Sequence, residues 1–99
     1  MEGFTATWHD GVLRLSGELD LAADDDLLIA FRSGSHDGSE VILDLSELSF
    51  IDSAGIGALT AIVREASPRG VVLRSPRRNV RKVIDLTRLE DSAGVRVDD

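Results

Sequence analysis

The sequence predicts a single α/β domain with a four- to five-stranded mixed sheet and about three helices packed mainly on one face. Apolar residues alternate on both sides of the Asp10-Gly11 pair, which is typical of a β-hairpin and therefore of an antiparallel strand pair. Residues 41–73 read as strand, helix and strand, the order of a right-handed parallel crossover. Antiparallel and parallel pairs in one chain make the predicted sheet mixed.

Length and composition indicate one domain over residues 1–99. A chain of 99 residues with 42% hydrophobic content suffices for one core, since single domains typically hold about 100 to 150 residues. The sequence has no cysteine, which excludes disulfides and thiolate chemistry. It has no apolar run of about 18 residues, and Met1 is followed by Glu2 and not by a basic, then apolar leader. We therefore expect a cytoplasmic protein without a membrane span.

The charge pattern argues against one class of partner and suits another. The net charge of −7 disfavours nucleic-acid binding, because Lys and Arg supply most of the affinity for phosphate backbones. Residues 1–60 carry 12 acidic residues against two arginines, whereas residues 61–99 carry nine basic residues against six acidic ones. This asymmetry suits steering towards a charged protein partner, although charge blocks are more often plain solvated surface.

The first third of the sequence predicts a hairpin and a helix. Strands are expected over 4–8 and 12–16, where apolar residues occupy alternate positions. Asp20 is suited to cap a helix from about Leu21 to Arg32, and the three aspartates at 24–26 favour its N-terminus.

The middle of the sequence predicts a central strand that leads into a second helix. After a Gly- and Ser-rich loop at 33–39, the apolar run Val41 to Leu45 is typical of a strand buried on both faces. A turn is expected at Ser46-Glu47. Residues 48–51 then lead into a helix whose apolar residues keep a helical period up to Ala66.

The last third predicts a strand, a third helix and a short final strand. Pro68 and Gly70 end the second helix, and the run 71–73 has the length of a strand. Pro76 opens a helix with apolar residues on one side and basic residues on the other. These are Val80, Val83 and Ile84 against Arg77, Arg78, Arg81 and Lys82. The alternate valines at 95–97 predict the final strand.

The sequence contains no pattern typical of catalysis or metal binding. His9 and His36 stand alone, without a partner at metal-ligand spacing, and the acidic run 24–26 lacks the spacing of a calcium loop. No Gly-rich phosphate loop with a lysine occurs, and Ser53 is not set in the Gly-x-Ser-x-Gly motif of hydrolases. We therefore predict a protein that is not an enzyme, with no catalytic residue, metal or cofactor.

The most informative segment joins the central strand to the second helix at Asp52 to Gly57. The simplest interpretation is that Asp52 or Ser53 caps the helix. However, Gly55 and Gly57 each cost roughly 1 kcal/mol relative to alanine in a helix, and glycine allows another backbone to approach closely. A phosphate on Ser53 would lie at the positive end of the helix dipole, so the fold could carry a new charge of about −1.5 to −2. The segment is therefore a candidate contact and modification site.

The same four residues, Asp-Ser-Ala-Gly, recur at Asp91 to Gly94 and provide an internal control. No apolar strand precedes this second copy and no periodic helix follows it, so it predicts an ordinary turn before a short edge strand. The strand-to-helix setting, and not the tetrapeptide, carries the signal.

In this setting the sequence resembles the STAS domains, and within that family the bacterial anti-sigma factor antagonists. The resemblance rests on Gly17 to Asp20 after the second strand, on the central strand and loop from Val41 to Gly57, and on the third helix and its turn from Val80 to Leu89. It extends over most of residues 4–97 in the same order. It implies a single STAS-like domain.

The resemblance also implies partner switching by phosphorylation. The unphosphorylated antagonist would bind an anti-sigma factor that is also a serine kinase, and so free a sigma factor. Ser53 would be the phosphoacceptor. The residues implied to contact the kinase are Asp20, Asp52, Ala54, Gly55, Ile56 and Gly57. The kinase would supply ATP and Mg²⁺, and a separate serine phosphatase would reset the switch.

Two other functions stay open at this point. A STAS subunit of a lipid-transport ATPase uses the same fold as a structural adaptor, and a small-ligand sensor would bind a nucleotide or lipid, although the sequence has no motif for the latter. Family members usually continue into a C-terminal helix, whereas this sequence stops at Asp99, just past Val97. This departure leaves open how one sheet face is covered, and allows a weak homodimer or a diverged member.

Overall fold

The computed structural model describes residues 3–34 and 38–99. Its elements, in chain order, are strands β1 (Thr5–His9) and β2 (Val12–Leu19), helix α1 (Asp24–Ser33), strand β3 (Val41–Ile51), helix α2 (Ser53–Ala66), strand β4 (Val71–Arg74), helix α3 (Arg78–Thr87) and strand β5 (Val95–Asp98). Short 3-10 turns at Leu21–Ala23 and Leu89–Asp91 precede α1 and β5. Part of the loop predicted at 33–39, including His36, lies outside the described residues. Within the described ranges, no helix is long and apolar enough to cross a bilayer.

The five strands form one mixed sheet in the order β1-β2-β3-β4-β5. β1 and β2 are antiparallel and meet at Asp10 and Gly11, whose φ angles of 51° and 79° are those of a tight hairpin turn. The other three neighbouring pairs are parallel. The predicted hairpin, the parallel crossover and the mixed sheet are confirmed.

All three helices pack on one face of this sheet. Leu13, Leu43 and Leu73 are register neighbours across β2, β3 and β4, and all three are fully buried. The buried residues of the helices belong to the same core cluster as these leucines. Each crossover steps to the next strand in the same direction, and right-handed crossovers that advance in one direction place their helices on one side. The predicted placement of the helices is therefore confirmed.

The prediction that the central strand is buried on both faces is wrong. Val41, Leu43 and Leu45 are buried, but Ile42 and Asp44 between them are only half-buried. Because the helices occupy one side of the sheet, only every second residue of β3 reaches the core. An apolar run of this kind occurs both in strands covered by helices on two faces and in strands covered on one face only. The run from Val41 to Leu45 therefore did not show which case applies here.

The turn predicted at Ser46-Glu47 is also wrong, since β3 continues through it as a strand of 11 residues. The pairing with β2 shifts register there, because Arg14 pairs with Asp44 whereas Ser16 pairs with Glu47. The extra residue in β3 forms a bulge, which exposes polar side chains without ending a strand. Polar residues at this point therefore mark an irregularity of the strand and not its end.

The second half of β3 extends beyond its neighbour β4, which pairs only with residues 41–44. Two side chains near the start of α3 bond to the carbonyl groups along this edge. Arg77 Nε donates to Ser46 O (2.9 Å), and Asn79 Nδ2 donates to Ser49 O (2.8 Å). These bonds support the part of β3 that leads to α2.

The two faces of β3 provide a test of the one-sided core. Leu43→Ala should lower the free energy of unfolding by about 2 to 5 kcal/mol, because it leaves a cavity in a closed core. The matched control is the adjacent Ile42→Ala, on the half-covered face, which should cost clearly less. Urea denaturation followed by circular dichroism measures both, and equal losses would contradict the one-sided core.

Candidate functional site

The candidate site lies where β2 and β3 end side by side. The two parallel strands finish in register at Leu19 and Ile51, and the Asp52 N–H donates to Leu19 O (3.3 Å). Each strand then passes through one aspartate into a helical segment. The carboxyl ends of parallel strands are the usual location of binding sites in α/β domains.

Asp20 and Asp52 make the same turn at the two strand ends. Asp20 has φ −126° and ψ −171°, and Asp52 has φ −118° and ψ −172°. Asp20 Oδ1 accepts a hydrogen bond from the Ala23 N–H (3.2 Å), and Asp52 Oδ1 accepts one from the Gly55 N–H (3.0 Å). Asp20 was predicted to cap a helix beginning near Leu21, and it caps the 3-10 turn Leu21–Ala23 instead, whereas α1 begins at Asp24 without a side-chain cap. The sequence did not decide whether Asp52 or Ser53 caps α2, and the structure shows that Asp52 is the cap.

Ser53 is the first residue of α2 and is exposed. The first backbone bond of the helix runs from the Ile56 N–H to Asp52 O (3.0 Å). Since Asp52 supplies both this carbonyl and the side-chain cap, the start of α2 does not require the Ser53 hydroxyl. A group attached at this position lies at the positive end of the helix dipole, which favours negative charge.

The two glycines of the segment have different environments. Gly55 is buried, and a side chain there would collide with Leu19 O and lie 2.7 Å from Ile51 Cγ1. The close backbone approach at Gly55 is therefore made by β2 of the same chain. Gly57 is exposed, with nothing within 4 Å of the position that a Cβ would take. The packing of the described residues thus gives no reason for glycine at 57.

The other predicted site residues lie near Ser53 on α2 or at the ends of β2 and β3. Ala54 and Ile56 are half-buried on α2, and Ile56 also packs against the core. Asp20 and Asp52 are half-buried at the strand ends. The structure therefore brings the ends of β2 and β3 and the start of α2 together, and of the predicted residues there only Gly55 is fully buried.

Asp24 is an acidic residue of this site that the sequence did not assign to it. Burial raises its pKa, and the carboxylates of Asp52, Asp25 and Asp20 raise it further. Asp24 Oδ1 is buried and has no hydrogen-bond partner among the described residues. The sequence predicted Asp24 near the start of the first helix, and in the structure it is the first residue of α1. Its proximity to Asp52 depends on the packing of α1 and its preceding turn against α2, which no local pattern reports.

The remaining candidates lie away from this site. His9 is exposed, with its Nε2 3.7 Å from a carboxylate oxygen of Asp10. In the second Asp-Ser-Ala-Gly copy, Asp91 ends a 3-10 turn, Gly94 has φ 84°, and the edge strand β5 follows, so the predicted turn is confirmed. In residues 3–34 and 38–99, no group of three or more His, Asp or Glu side chains is placed to hold a metal ion.

The chain is similar to proteins of one family over nearly its whole length. A family model described as Mlab, STAS domain, matches residues 3–97. The structure of the anti-sigma factor antagonist SpoIIAA in its unphosphorylated form matches with a TM-score of 0.69 and 27% sequence identity, covering 98% of this chain and 89% of that chain. The crystal structure of TM1081 from Thermotoga maritima has a TM-score of 0.69 and 24% identity, covering 97% of this chain and 86% of that chain. The TM1081 match indicates the shared fold alone.

The environments of the two glycines predict opposite effects of alanine. Gly55→Ala should destabilise the fold by about 1 to 3 kcal/mol, because the new methyl group meets the backbone of β2. Gly57→Ala, the matched control two residues away, should stabilise the fold by up to about 1 kcal/mol through better helix propensity. Thermal and urea denaturation measure both changes. A shift of the same sign in the two variants would contradict this account.

Asp24 should make stability depend on pH. Its raised pKa means that the Asp24 carboxyl group binds a proton more tightly in the folded protein than in the unfolded chain. The contribution of Asp24 therefore favours folding at low pH and is lost as the pH rises above about 4. Asp24→Asn should accordingly gain stability relative to wild type at pH 7 and lose that gain near pH 3, as measured by urea denaturation across the pH range.

The control for Asp24 is Asp26→Asn, which removes an exposed carboxylate from the same helical turn. This variant should show a smaller gain at pH 7, because Asp26 is not buried. If the difference between Asp24→Asn and wild type does not change with pH, Asp24 is not the strained carboxylate of the site.

Proposed function

The chain belongs to the STAS domain family, and we propose that within it the protein acts as an anti-sigma factor antagonist. It binds an anti-sigma factor that is also a serine kinase, and phosphorylation of Ser53 ends that binding. The protein is a binding module and not an enzyme: the kinase supplies ATP and Mg²⁺, and a serine phosphatase restores the hydroxyl. These partners place it in the cytoplasm. The similarity to SpoIIAA at 27% identity supports this choice.

The exposed Ser53 side chain is the observation that carries the proposal. Asp52 caps α2 through its bond to the Gly55 N–H, so modification of Ser53 removes no bond that holds the helix. A serine that capped the helix itself would lose its cap on phosphorylation, and the fold would be weakened together with binding. Because Asp52 and not Ser53 caps α2, phosphorylation of Ser53 would weaken binding without weakening the fold.

The charge near Ser53 explains how one phosphate would act as a switch. It would add about −1.5 to −2 charge to a surface that already holds the carboxylates of Asp20, Asp24 and Asp52. The N-terminus of α2 offsets part of this charge in the free protein. At a docked interface, an unpaired charge removed from water costs several kcal/mol. Because about 1.4 kcal/mol corresponds to tenfold in affinity, binding would fall by orders of magnitude while the fold persists.

The surface beside Ser53 suits close contact with the kinase. Gly57 lies one helical turn further along α2 and is exposed, with open space where a side chain would stand. Glycine inside a helix costs about 1 kcal/mol, and the described residues offset none of that cost by packing. A partner backbone that approaches α2 at Gly57, with Ala54 and Asp20 at its margins, would account for the glycine.

The proposal is tested by comparing four forms of the chain. Incubation with the cognate kinase and ATP should add one phosphate to wild type and to Ser92→Ala, and none to Ser53→Ala. In pull-downs, wild type, Ser53→Ala and Ser92→Ala should retain the kinase, whereas Ser53→Asp should lose it because of the added charge. Mass spectrometry and the recovered kinase give the two readouts. Ser92→Ala is the matched control, because Ser92 occupies the same tetrapeptide without the strand-to-helix setting.

Two results would refute the assignment of Ser53. One is stoichiometric phosphorylation of Ser53→Ala, which would place the phosphoacceptor elsewhere. The other is equal recovery of the kinase by wild type, Ser53→Ala and Ser53→Asp, which would show that charge at this position does not control binding.

A second candidate function is that of a STAS adaptor subunit in a lipid-transport ATPase. The family model that matches residues 3–97 is described by Mlab and not by SpoIIAA, so the matching family is not limited to anti-sigma factor antagonists. As an adaptor, the chain would co-purify stably with an ATPase, and Ser53→Ala and Ser53→Asp would both leave that complex intact. The pull-down described above therefore separates the two candidates.

A further inference from the structure

The side of the sheet opposite the three helices, the open face, carries a row of alternating charges. Arg14 on β2 pairs in register with Asp44 on β3, Asp44 pairs with Arg74 on β4, and Arg74 pairs with Asp98 on β5. The residue before each of them belongs to the core or packs against it. Since successive strand residues point to opposite faces, these four residues lie together on the open face. The row reads plus, minus, plus, minus.

These charges are incompletely neutralised within the chain. Arg14 and Asp44 form one long ion pair of 3.9 Å. Within the described part of the chain, neither Arg74 nor Asp98 makes an ion pair within 4.0 Å, and Arg74 Nε is buried without a hydrogen-bond partner. The row therefore retains the capacity to pair with charges from outside the chain.

A second row, next to the charged one, is mainly apolar. Val12, Ile42 and Val72 are register neighbours on the same face. None of the three belongs to the core beneath the helices or packs against it. Val12 and Ile42 are half-buried, and Val72 is 3% exposed. The open face thus combines two partly exposed apolar residues, Val12 and Ile42, with a regular charge pattern.

We propose that the open face binds a second copy of this chain. Two sheets that pack face to face about a two-fold axis parallel to the strands meet with their strand order reversed. Reversal of a plus, minus, plus, minus row places every charge opposite its counter-charge. Arg14 of one copy faces Asp98 of the other, and Asp44 faces Arg74. The row is therefore complementary to itself, which identifies the occupant by its charge pattern.

The second row contributes little to this interface. The axis that reverses the strand order places Ile42 of each copy opposite Val72 of the other, but Val72 is already covered within its own chain. The same axis places Val12 opposite Arg96, which pairs in register with Val72. An axis across the strands would instead place each charge opposite an identical one, which disfavours association. Face-to-face packing of sheets keeps the strand directions within about 30°, as an axis along the strands requires.

The interface would be small and would leave Ser53 accessible. Four short strands cover less than the roughly 800 Å² per partner of a standard interface, so we expect a weak, rapidly exchanging dimer. Ser53 begins α2, whose buried residues pack on the opposite side of the sheet. The inference does not depend on the proposed function, because it rests on residues remote from the ends of β2 and β3.

Two charge-reversal variants test the inference. Asp44→Lys alone opposes two positive charges across the axis, and Arg74→Glu alone opposes two negative ones. Each variant should raise the dissociation constant of the dimer by at least about tenfold. An equimolar mixture of the two variants should recover a dissociation constant within about threefold of wild type, because the mixed dimer restores opposite charges at every position. Sedimentation equilibrium at up to about 1 mM protein measures the constants, and circular dichroism checks the fold.

Recovery in the mixture cannot come from ion pairs inside one sheet, because mixing changes no intrachain contact. A wild-type chain that stays monomeric at about 1 mM would overturn the inference. So would a mixture no more dimeric than its components, or a dimer unaffected by either variant. If one of these variants does not fold, Arg14→Glu and Asp98→Lys form the equivalent outer pair and test the same axis.

Discussion

The hydrogen bond from the Gly55 N–H to Asp52 Oδ1 is the interaction on which the candidate site depends. It satisfies one of the unpaired N–H groups at the start of α2 and assigns the cap to the residue before Ser53. Ser53 is then the first helical residue, exposed and not needed for the cap. Gly55, the donor of this bond, also sits against Leu19, where a side chain would collide with the Leu19 carbonyl oxygen. The start of α2, the packing of α2 against β2 and the exposure of Ser53 therefore all depend on the same short segment.

A constraint of topology gives this arrangement its surroundings. The chain visits the strands in spatial order, so every crossover advances in the same direction and every helix falls on the same side. The site forms at one edge of the sheet, where β2 and β3 end in register and two aspartates make equivalent turns. The opposite side is left without helices. The same strand order that brings the ends of β2 and β3 together therefore also leaves the open face, with its row of charges, uncovered by helices.

Charge distinguishes these two surfaces. The charges near Ser53 are carboxylates, and burial, together with the carboxylates of Asp52, Asp25 and Asp20, raises the pKa of Asp24. The adjacent N-terminus of α2 would offset part of any further negative charge there. On the open face, basic and acidic residues alternate from strand to strand, so their charges cancel over short distances. The first surface is suited to a change of charge state, and the second to a partner with the reversed pattern.

Several features follow from local patterns of residues and were predictable before the fold was known. The period of the apolar residues and the turn residues in the sequence predicted the hairpin, the parallel crossover and the three helices, and the strand-to-helix setting separated the loop at Ser53 from its copy at Ser92. Tertiary structure alone decided that β3 runs through Ser46-Glu47, that Gly55 serves the packing of β2, and that Asp24 lies beside Asp52. The physical reason is range: periodicity and capping act within a few residues, whereas register, bulges and carboxylate repulsion depend on distances between segments that the chain brings together only when it folds.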